Sequence, residues 1–292
     1  MSQQQRIGYL GPKGTFTKMA VDAFFESGDF HSFESIPACL DSVEHQQIDT
    51  GVVPLENAIE GSVHLTIDYL IHHVNLSVIA ELTVPIKQHL LVHPDYNGEP
   101  ITRLYSHSHA IAQCHQYLHK HYPEADIEYT PSTGRAAELV ASSGKTVAAI
   151  GNYLAAEEYG LCILDENIHD YDNNHTRFAV VQKEAKTLKV KDHPVIKHKT
   201  TVMVTLPKDF AGALHQVLAA FAWRRMNLSK IESRPMKTGL GNYFFLIDVD
   251  QPYDQVLFPG VQQELAALGC NVTVLGSYPS YEIEIPFTAK NI

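Results

Sequence analysis

Five short stretches of this chain put hydroxyl, amide or charged side chains where a ligand could meet them: "GPKGTFT" (11–17), "PLENAIEGS" (54–62), "YSHSHAIAQC" (105–114), "PSTGRAAELV" (131–140) and "DNNHTRF" (172–178). In the first, glycines let backbone N–H groups approach a ligand, and the N-terminus of the helix that follows favours an anion; the alternative is a plain tight turn. In the second, the apolar "GVV" runs into Glu56 and Asn57, at the end of a strand where α/β folds bind ligands, and the alternative there is helix capping and loop hydrogen bonding. Ser106 ends a strand in the third stretch, with Gln113 seven residues later on a helix. Ser132 and Thr133 precede a helix in the fourth, as N-caps or as donors to an anion at that helix end. Three strand-to-helix crossings therefore end in hydroxyl or amide side chains.

Other chemistries lack their residues. No G-x-S-x-G elbow or Walker A loop is present. Gly8, Gly11 and Gly14 are not spaced as G-x-G-x-x-G; Glu34 could mimic the acid that holds a ribose, but Pro12 and Lys13 sit where a dinucleotide fingerprint wants close packing. Seventeen histidines include His115 and His119 at i, i+4, yet no H-E-x-x-H accompanies them, and no metal site is expected. Cys39, Cys114, Cys162 and Cys270 are far apart, which argues for reduced, buried thiols. A formal charge of −11 and a pI near 5.8 oppose binding to nucleic acid. "MSQQQRIGYL" has no leader pattern and no apolar run approaches the roughly 20 residues of a membrane span, so the reading is a soluble, cytoplasmic protein with no membrane partner.

The elements that must position these residues alternate. "RIGYLG", "FHSFESI" and "TGVVPLEN" read as strands separated by the helices "GTFTKMAVDAFFE" and "ACLDSVEHQQI", the pattern of a parallel sheet covered by helices. Strands continue at "LSVIAELTVPI", "KQHLLVH", "TRLYSH", "IEYTPS", "TVAAIG" and "TRFAVV", with helices at "HLTIDYLIHH", "AIAQCHQYLHKHY", "GRAAELVAS" and "NYLAAEEYG". The Lys- and His-rich stretch from 183 to 199 lacks periodicity and reads as a linker. Beyond it the order is βαββαβ, the ferredoxin-like arrangement of a separate domain.

In order, "GPKGTFT", "PLENAIEG", "STGRAA", "NHTRF", "GALH" and "ESRP" resemble a monofunctional prephenate dehydratase with a C-terminal ACT regulatory domain, over nearly the whole chain. The resemblance implies an α/β fold: a two-lobed, periplasmic-binding-protein-like catalytic region plus the ferredoxin-like ACT domain. It places the catalytic region at 1–183, with lobe one at about 1–80 and 161–183 and lobe two at about 81–160. A linker at 184–198, an ACT domain at 199–280 and a tail at 281–292 follow. The implied reaction is decarboxylating dehydration of prephenate to phenylpyruvate, with no cofactor and no metal. Thr176 is carried over as donor to the leaving hydroxyl, with Asn57, Ser106, Gln113 and Glu56 as catalytic positions. Thr15, Ser132, Thr133, Arg177 and Phe178 are carried over as substrate-binding. Glu56 would repel a dicarboxylate unless protonated or turned away, and Arg177 could instead pair with Asp172 or Glu166. Gly212, Ala213, Leu214, Glu232, Ser233 and Arg234 are implied to bind L-phenylalanine between paired ACT domains, in a homodimer or homotetramer. His215 departs from the usual apolar residue of "GALH" and bears on how the effector packs. Arogenate dehydratase, a ligand sensor without chemistry and a nicotinamide-dependent dehydrogenase are the competing readings.

Overall fold

The computed structural model describes residues 4–184, 186–208, 210–236 and 243–285. The chain divides into two compact units, one of Met1–Asn75, Leu82–His193 and Ile283–Ile292, the other of Leu76–Glu81 and Pro194–Glu282. Most of the expected tail, past residue 285, lies outside the described residues.

The first unit holds two sheets. Strands β1 (Arg6–Leu10), β2 (Asp29–Phe33) and β3 (Thr50–Asn57) pair in parallel in the order β2-β1-β3. β11 (His175–Gln182) joins β3 from the other side, antiparallel, with Thr176 opposite Asn57. The stretch of β4 (Gly61–Ser62) folds back on the end of β3. The centre of this sheet is buried on both faces: Ile7, Val52, Val53, Ala179, Val180 and Val181 are fully enclosed, which is why these strands read as unbroken apolar runs. Helix α1 (Phe16–Phe24) begins where the Thr15 hydroxyl accepts from Lys18 N at 3.3 Å, and α2 (Ile36–Glu44) where Ser35 caps Ala38 N at 3.3 Å. α3 (His64–His72) follows β4.

The second sheet runs β10-β6-β9-β7-β8, from β6 (His89–Val92), β7 (Arg103–Ser106), β8 (Asp126–Tyr129), β9 (Val147–Gly151) and β10 (Cys162–Asp165). Its helices are α4 (Ser108–Gln113), α5 (His115–His121), α6 (Thr133–Ala141) and α7 (Tyr153–Tyr159). Two sequence expectations shift here. Residues 162–165 pair antiparallel with β6, so the chain returns to the first sheet after Asp165 rather than near 160. The helix expected across "AIAQCHQYLHKHY" breaks at Cys114, because Asp170 intrudes: its N–H donates to Gln113 O at 2.7 Å and its carboxylate accepts from Gln116 N at 3.0 Å. A carboxylate beside the first N–H groups of α5 satisfies donors that a helix start leaves open.

The stretch read as a linker is partly structured. Val190 bridges Phe25, Lys191 N donates to Phe24 O at 2.8 Å, and β12 (Val195–Thr205) begins well before residue 199. Backbone pairing makes these contacts, and backbone pairing leaves no side-chain periodicity to read.

In the second unit β12, α8 (Ala213–Ala222), β13 (Leu228–Pro235), β14 (Tyr243–Val249), α9 (Leu257–Ala267) and β15 (Asn271–Glu282) follow the expected βαββαβ order. The antiparallel order is β13-β14-β12-β15, and Val202, Val204, Val217, Phe221, Ile247 and Val261 make its core. Leu76–Glu81, which holds the start of β5 (Ser77–Pro85), also belongs to this unit: a Cβ on Gly276 would stand 2.2 Å from Val78 O, and the buried Glu81 carboxylate accepts from Lys199 Nζ at 2.6 Å and Ser280 Oγ at 2.9 Å.

Candidate active site

A cavity of about 1000 Å³ opens within the first unit, lined from both of its sheets. That volume suits a small organic acid with room for water. The N-termini of α1 and α6 reach its wall through Thr15, Phe16 and Thr17 and through Ser132 and Thr133. Where the walls meet, Gly134 of α6 packs so closely under the 11–14 loop that a Cβ there would lie 2.5 Å from Lys13 O. Only a glycine fits beneath that carbonyl.

Thr176 and Asn57 stand side by side on β11 and β3. Asn57 Nδ2 donates to Thr176 Oγ1 at 2.9 Å and to Asn174 Oδ1 at 2.9 Å, while Asn57 Oδ1 accepts from Ile59 N at 3.0 Å and Glu60 N at 3.1 Å. Both ends of the amide are thus fixed. With an acceptor site of its hydroxyl taken by Asn57, Thr176 keeps its own O–H to donate.

The opposite wall is set by the 166–174 loop. Ile168 N donates to Gln88 O at 2.9 Å, Asp170 N to Gln113 O, and Ile86 N to Asn174 O at 2.8 Å. Gln88 and Gln113 face the cavity, and Gln88 Nε2 donates to Gln113 Oε1 at 3.3 Å. His107 and His109 line it too, the His109 ring 3.7 Å from Glu60 of the other wall. Burial pushes the His107 imidazole below its ordinary value, and the neighbouring His109 adds to this. The charged residues on the wall are Glu34, Glu60, Glu138 and Arg135, and Arg135 pairs with Glu138 at 2.6 Å.

A family model described as prephenate dehydratase matches residues 7–186. The prephenate dehydratase of Bacillus subtilis (strain 168) is 50% identical over 284 residues, spanning 95% of this chain and 100% of that one. The crystal structure of prephenate dehydratase in complex with L-Phe from Arthrobacter aurescens superposes with a TM-score of 0.81 at 34% identity, covering 94% of this chain and 89% of that one. That of the Staphylococcus aureus (Mu50) prephenate dehydratase gives 0.79 at 30%, covering 94% and 100%.

The chain belongs to the prephenate dehydratase family. It is therefore an enzyme, a carbon–oxygen lyase, and its fold class is the two-lobed catalytic region with a ferredoxin-like regulatory domain.

Of the residues this family's motifs point to, Thr176, Asn57, Gln113, Thr15, Ser132, Thr133 and Phe178 line the cavity. Three others do not. Ser106 is fully buried and donates to Ile150 O on the neighbouring strand at 2.7 Å, so its hydroxyl closes the β7–β9 seam. Arg177 lies between two cavity-lining residues of an extended strand, so its side chain leaves by the other face. There it pairs with Glu56, directly opposite on β3, and not with Asp172 or Glu166. Glu56 is thereby turned away from the cavity, which removes the repulsion it would have offered a dicarboxylate. The hydroxyls of Thr15 and Ser132 are engaged as caps, Thr15 also donating toward Pro12 O at 3.0 Å.

Gln88 and Glu60 are cavity residues that sequence reasoning did not single out. Gln88 stands immediately before β6, between Lys87 and His89 in "KQHLLVH", and nothing in that order marks it as the residue facing a ligand.

In the second unit Gly212 holds φ +91 at the start of α8, a left-handed conformation that favours glycine, and Ala213 behind it is buried. Leu214 and His215 are exposed. Glu232 and Arg234 share one face of β13, Nε to Oε1 3.8 Å, and Ser233 points the other way. Among the described residues no group of His, Cys, Asp and Glu could hold a metal ion, and no helix is long and apolar enough to cross a membrane.

Proposed function

We propose that this chain converts prephenate to phenylpyruvate in the 1000 Å³ cavity and that L-phenylalanine regulates it through the second unit. The observation that carries the reading is the 2.9 Å bond from Asn57 to Thr176. It makes Thr176 a donor aimed by a neighbour whose own position is fixed at both ends. The reaction takes prephenate dianion and one proton to phenylpyruvate, carbon dioxide and water. As the ring carboxylate leaves as carbon dioxide, its electron pair enters the ring and the C4–O bond breaks. Thr176 donates a hydrogen bond to the departing oxygen as negative charge develops there. An aliphatic alcohol is a poor acid, so the proton that completes the water comes through the hydroxyl from solvent or a titrating neighbour rather than from Thr176 itself.

Anchoring falls to Gln113 and to backbone N–H groups at the starts of α1 and α6, with Thr15, Ser132 and Thr133 shaping those starts. Neutral donors hold a carboxylate without binding tightly the one that must depart. Asn57 positions Thr176, the Glu56–Arg177 pair fixes the β3–β11 register beneath both, and Phe178 walls the ring. Ser106 acts on this site only through the seam it closes.

For regulation, Gly212, Ala213, Leu214, Glu232, Ser233 and Arg234 form the proposed phenylalanine site in a homodimer or homotetramer. β13 ends the sheet order of the second unit among the described strands, which leaves its motif on an edge that a second copy can meet. The Arthrobacter relative was solved with L-Phe. A cytoplasmic biosynthetic role, in making phenylalanine, completes the reading.

The test is prephenate consumption against phenylpyruvate appearance, with and without phenylalanine, beside a parallel arogenate assay. Prephenate turnover suppressed by phenylalanine supports both halves. Turnover that phenylalanine leaves unchanged, together with unchanged oligomer size, removes the regulatory half; faster turnover of arogenate transfers the catalytic half to that substrate.

A further inference from the structure

Gln88 is 98% enclosed, lines the cavity, and spends its amide N–H on Gln113 Oε1, while among the described residues no donor reaches its Oε1. A buried carbonyl oxygen left without a donor is costly, so a ligand that supplies one is favoured there. The backbone on either side is fixed: Gln88 O accepts from Ile168 N, and Gln88 N approaches His169 Nδ1 at 3.4 Å. Ile86, two residues earlier and also on the cavity wall, donates its N–H to Asn174 O, and Asn174 stands two residues before Thr176. The 166–174 loop therefore ties Gln88 to the same corner as the threonine.

Prephenate dianion carries two carboxylates, a ketone and one hydroxyl, and that C4 hydroxyl is its single hydrogen-bond donor. On the proposed site reading, we infer that Gln88 Oε1 accepts the hydrogen bond of the C4 hydroxyl, making Gln88 a specificity-determining residue for the leaving group. The two contacts are complementary. Gln88 takes the hydroxyl proton as acceptor, which turns an oxygen lone pair toward the O–H of Thr176. The bond persists through the reaction, since the departing water still has a hydrogen to give. Gln113 then has its Nε2 free for a carboxylate, because its Oε1 is occupied by Gln88. Turning both amides over would exchange these roles and leave a donor on Gln88; the variants below separate the two arrangements.

The experiment compares inhibition constants of two ring-saturated analogues of prephenate, one with the 4-hydroxyl and one without it. The wild-type protein is expected to favour the hydroxyl compound by about tenfold, the worth of one satisfied buried acceptor. Gln88→Met keeps the length of the side chain and removes the acceptor, and should reduce the ratio to near one. Gln88→Glu keeps an acceptor at that place and should retain the ratio; its charge weakens both dianions alike and cancels. Retention of the ratio in Gln88→Met, or its loss in Gln88→Glu, overturns the assignment while leaving the site standing. Should wild-type protein bind neither analogue while remaining folded, the site reading itself fails, and the Gln88 inference with it.

Discussion

On the wall built from β3 and β11, Asn57 and Thr176 reach the cavity and meet across a register pair, while their motif neighbours Glu56 and Arg177 pair with each other on the opposite face. On the wall built around β6 and β7, the serine at the strand end turns inward to the seam, and Gln88 and Gln113 face the cavity in its place. The same cue, a polar residue ending a buried strand, thus has two outcomes. The difference lies in what the backbone nearby leaves unsatisfied. At Ser106 a carbonyl of the adjacent strand lies within reach and captures the hydroxyl. At Asn57 the turn that follows offers N–H groups to Oδ1, so the amide is held with its Nδ2 toward Thr176.

The largest effect that tests this contrast is on turnover. Thr176→Ala should lower kcat by about 10²–10³ with KM nearly unchanged, the usual cost of one donor to a developing oxyanion. Thr176→Ser, which keeps the hydroxyl, should recover part of it. Equal losses in both, or a change confined to KM, would reverse the assignment of that wall.

The other wall should reveal itself in stability instead. His89 on β6 is buried, accepts from Asn167 N at 3.2 Å, and has its imidazole lowered to about 4, chiefly by burial, with His169 and Lys87 adding to it. Its folded pKa lies below its unfolded value near 6.5, so the unfolded chain takes up the proton first as pH falls. Stability is then full above about pH 6.5 and declines toward pH 4, by at most about 3 kcal/mol. Denaturant midpoints over that range should fall less steeply in His89→Asn than in the wild-type protein. Parallel curves would show that the imidazole is not held neutral.

How far the sequence could be read follows the same line. Strand and helix order was legible because apolar periodicity and caps are local, and Thr15, Ser35, Ser132 and Asn152 each cap the helix they precede. The break at Cys114 was not, because its cause is Asp170, distant in sequence. Nor was the pairing of Arg177 with Glu56, which depends on strand register rather than proximity along the chain. Gln88 was hidden because it lies just ahead of β6 between two other polar residues, Lys87 and His89, and the 166–174 loop whose Ile168 N–H holds its carbonyl is distant in sequence.

Ser106→Ala gives the next smaller effect. Loss of the hydroxyl leaves Ile150 O without that donor, at a cost of about 1–3 kcal/mol in unfolding free energy, while kcat stays within a few-fold. A loss of turnover comparable to that of Thr176→Ala, without a stability change, would put Ser106 back in the site and erase the contrast between the walls.

The smallest effect separates a cap from a ligand contact. The Ser132 hydroxyl accepts from Arg135 N at 3.1 Å, so its worth is that of an N-cap, and Ser132→Ala should cost about 1 kcal/mol of stability. Ser132→Asp restores the cap, since aspartate serves as well there, but sets a carboxylate at the helix end proposed to receive the substrate's own. Stability should return while KM for prephenate rises. If KM is unchanged in Ser132→Asp, no substrate carboxylate sits at the start of α6, and the anchoring must come from Gln113 and the α1 end alone.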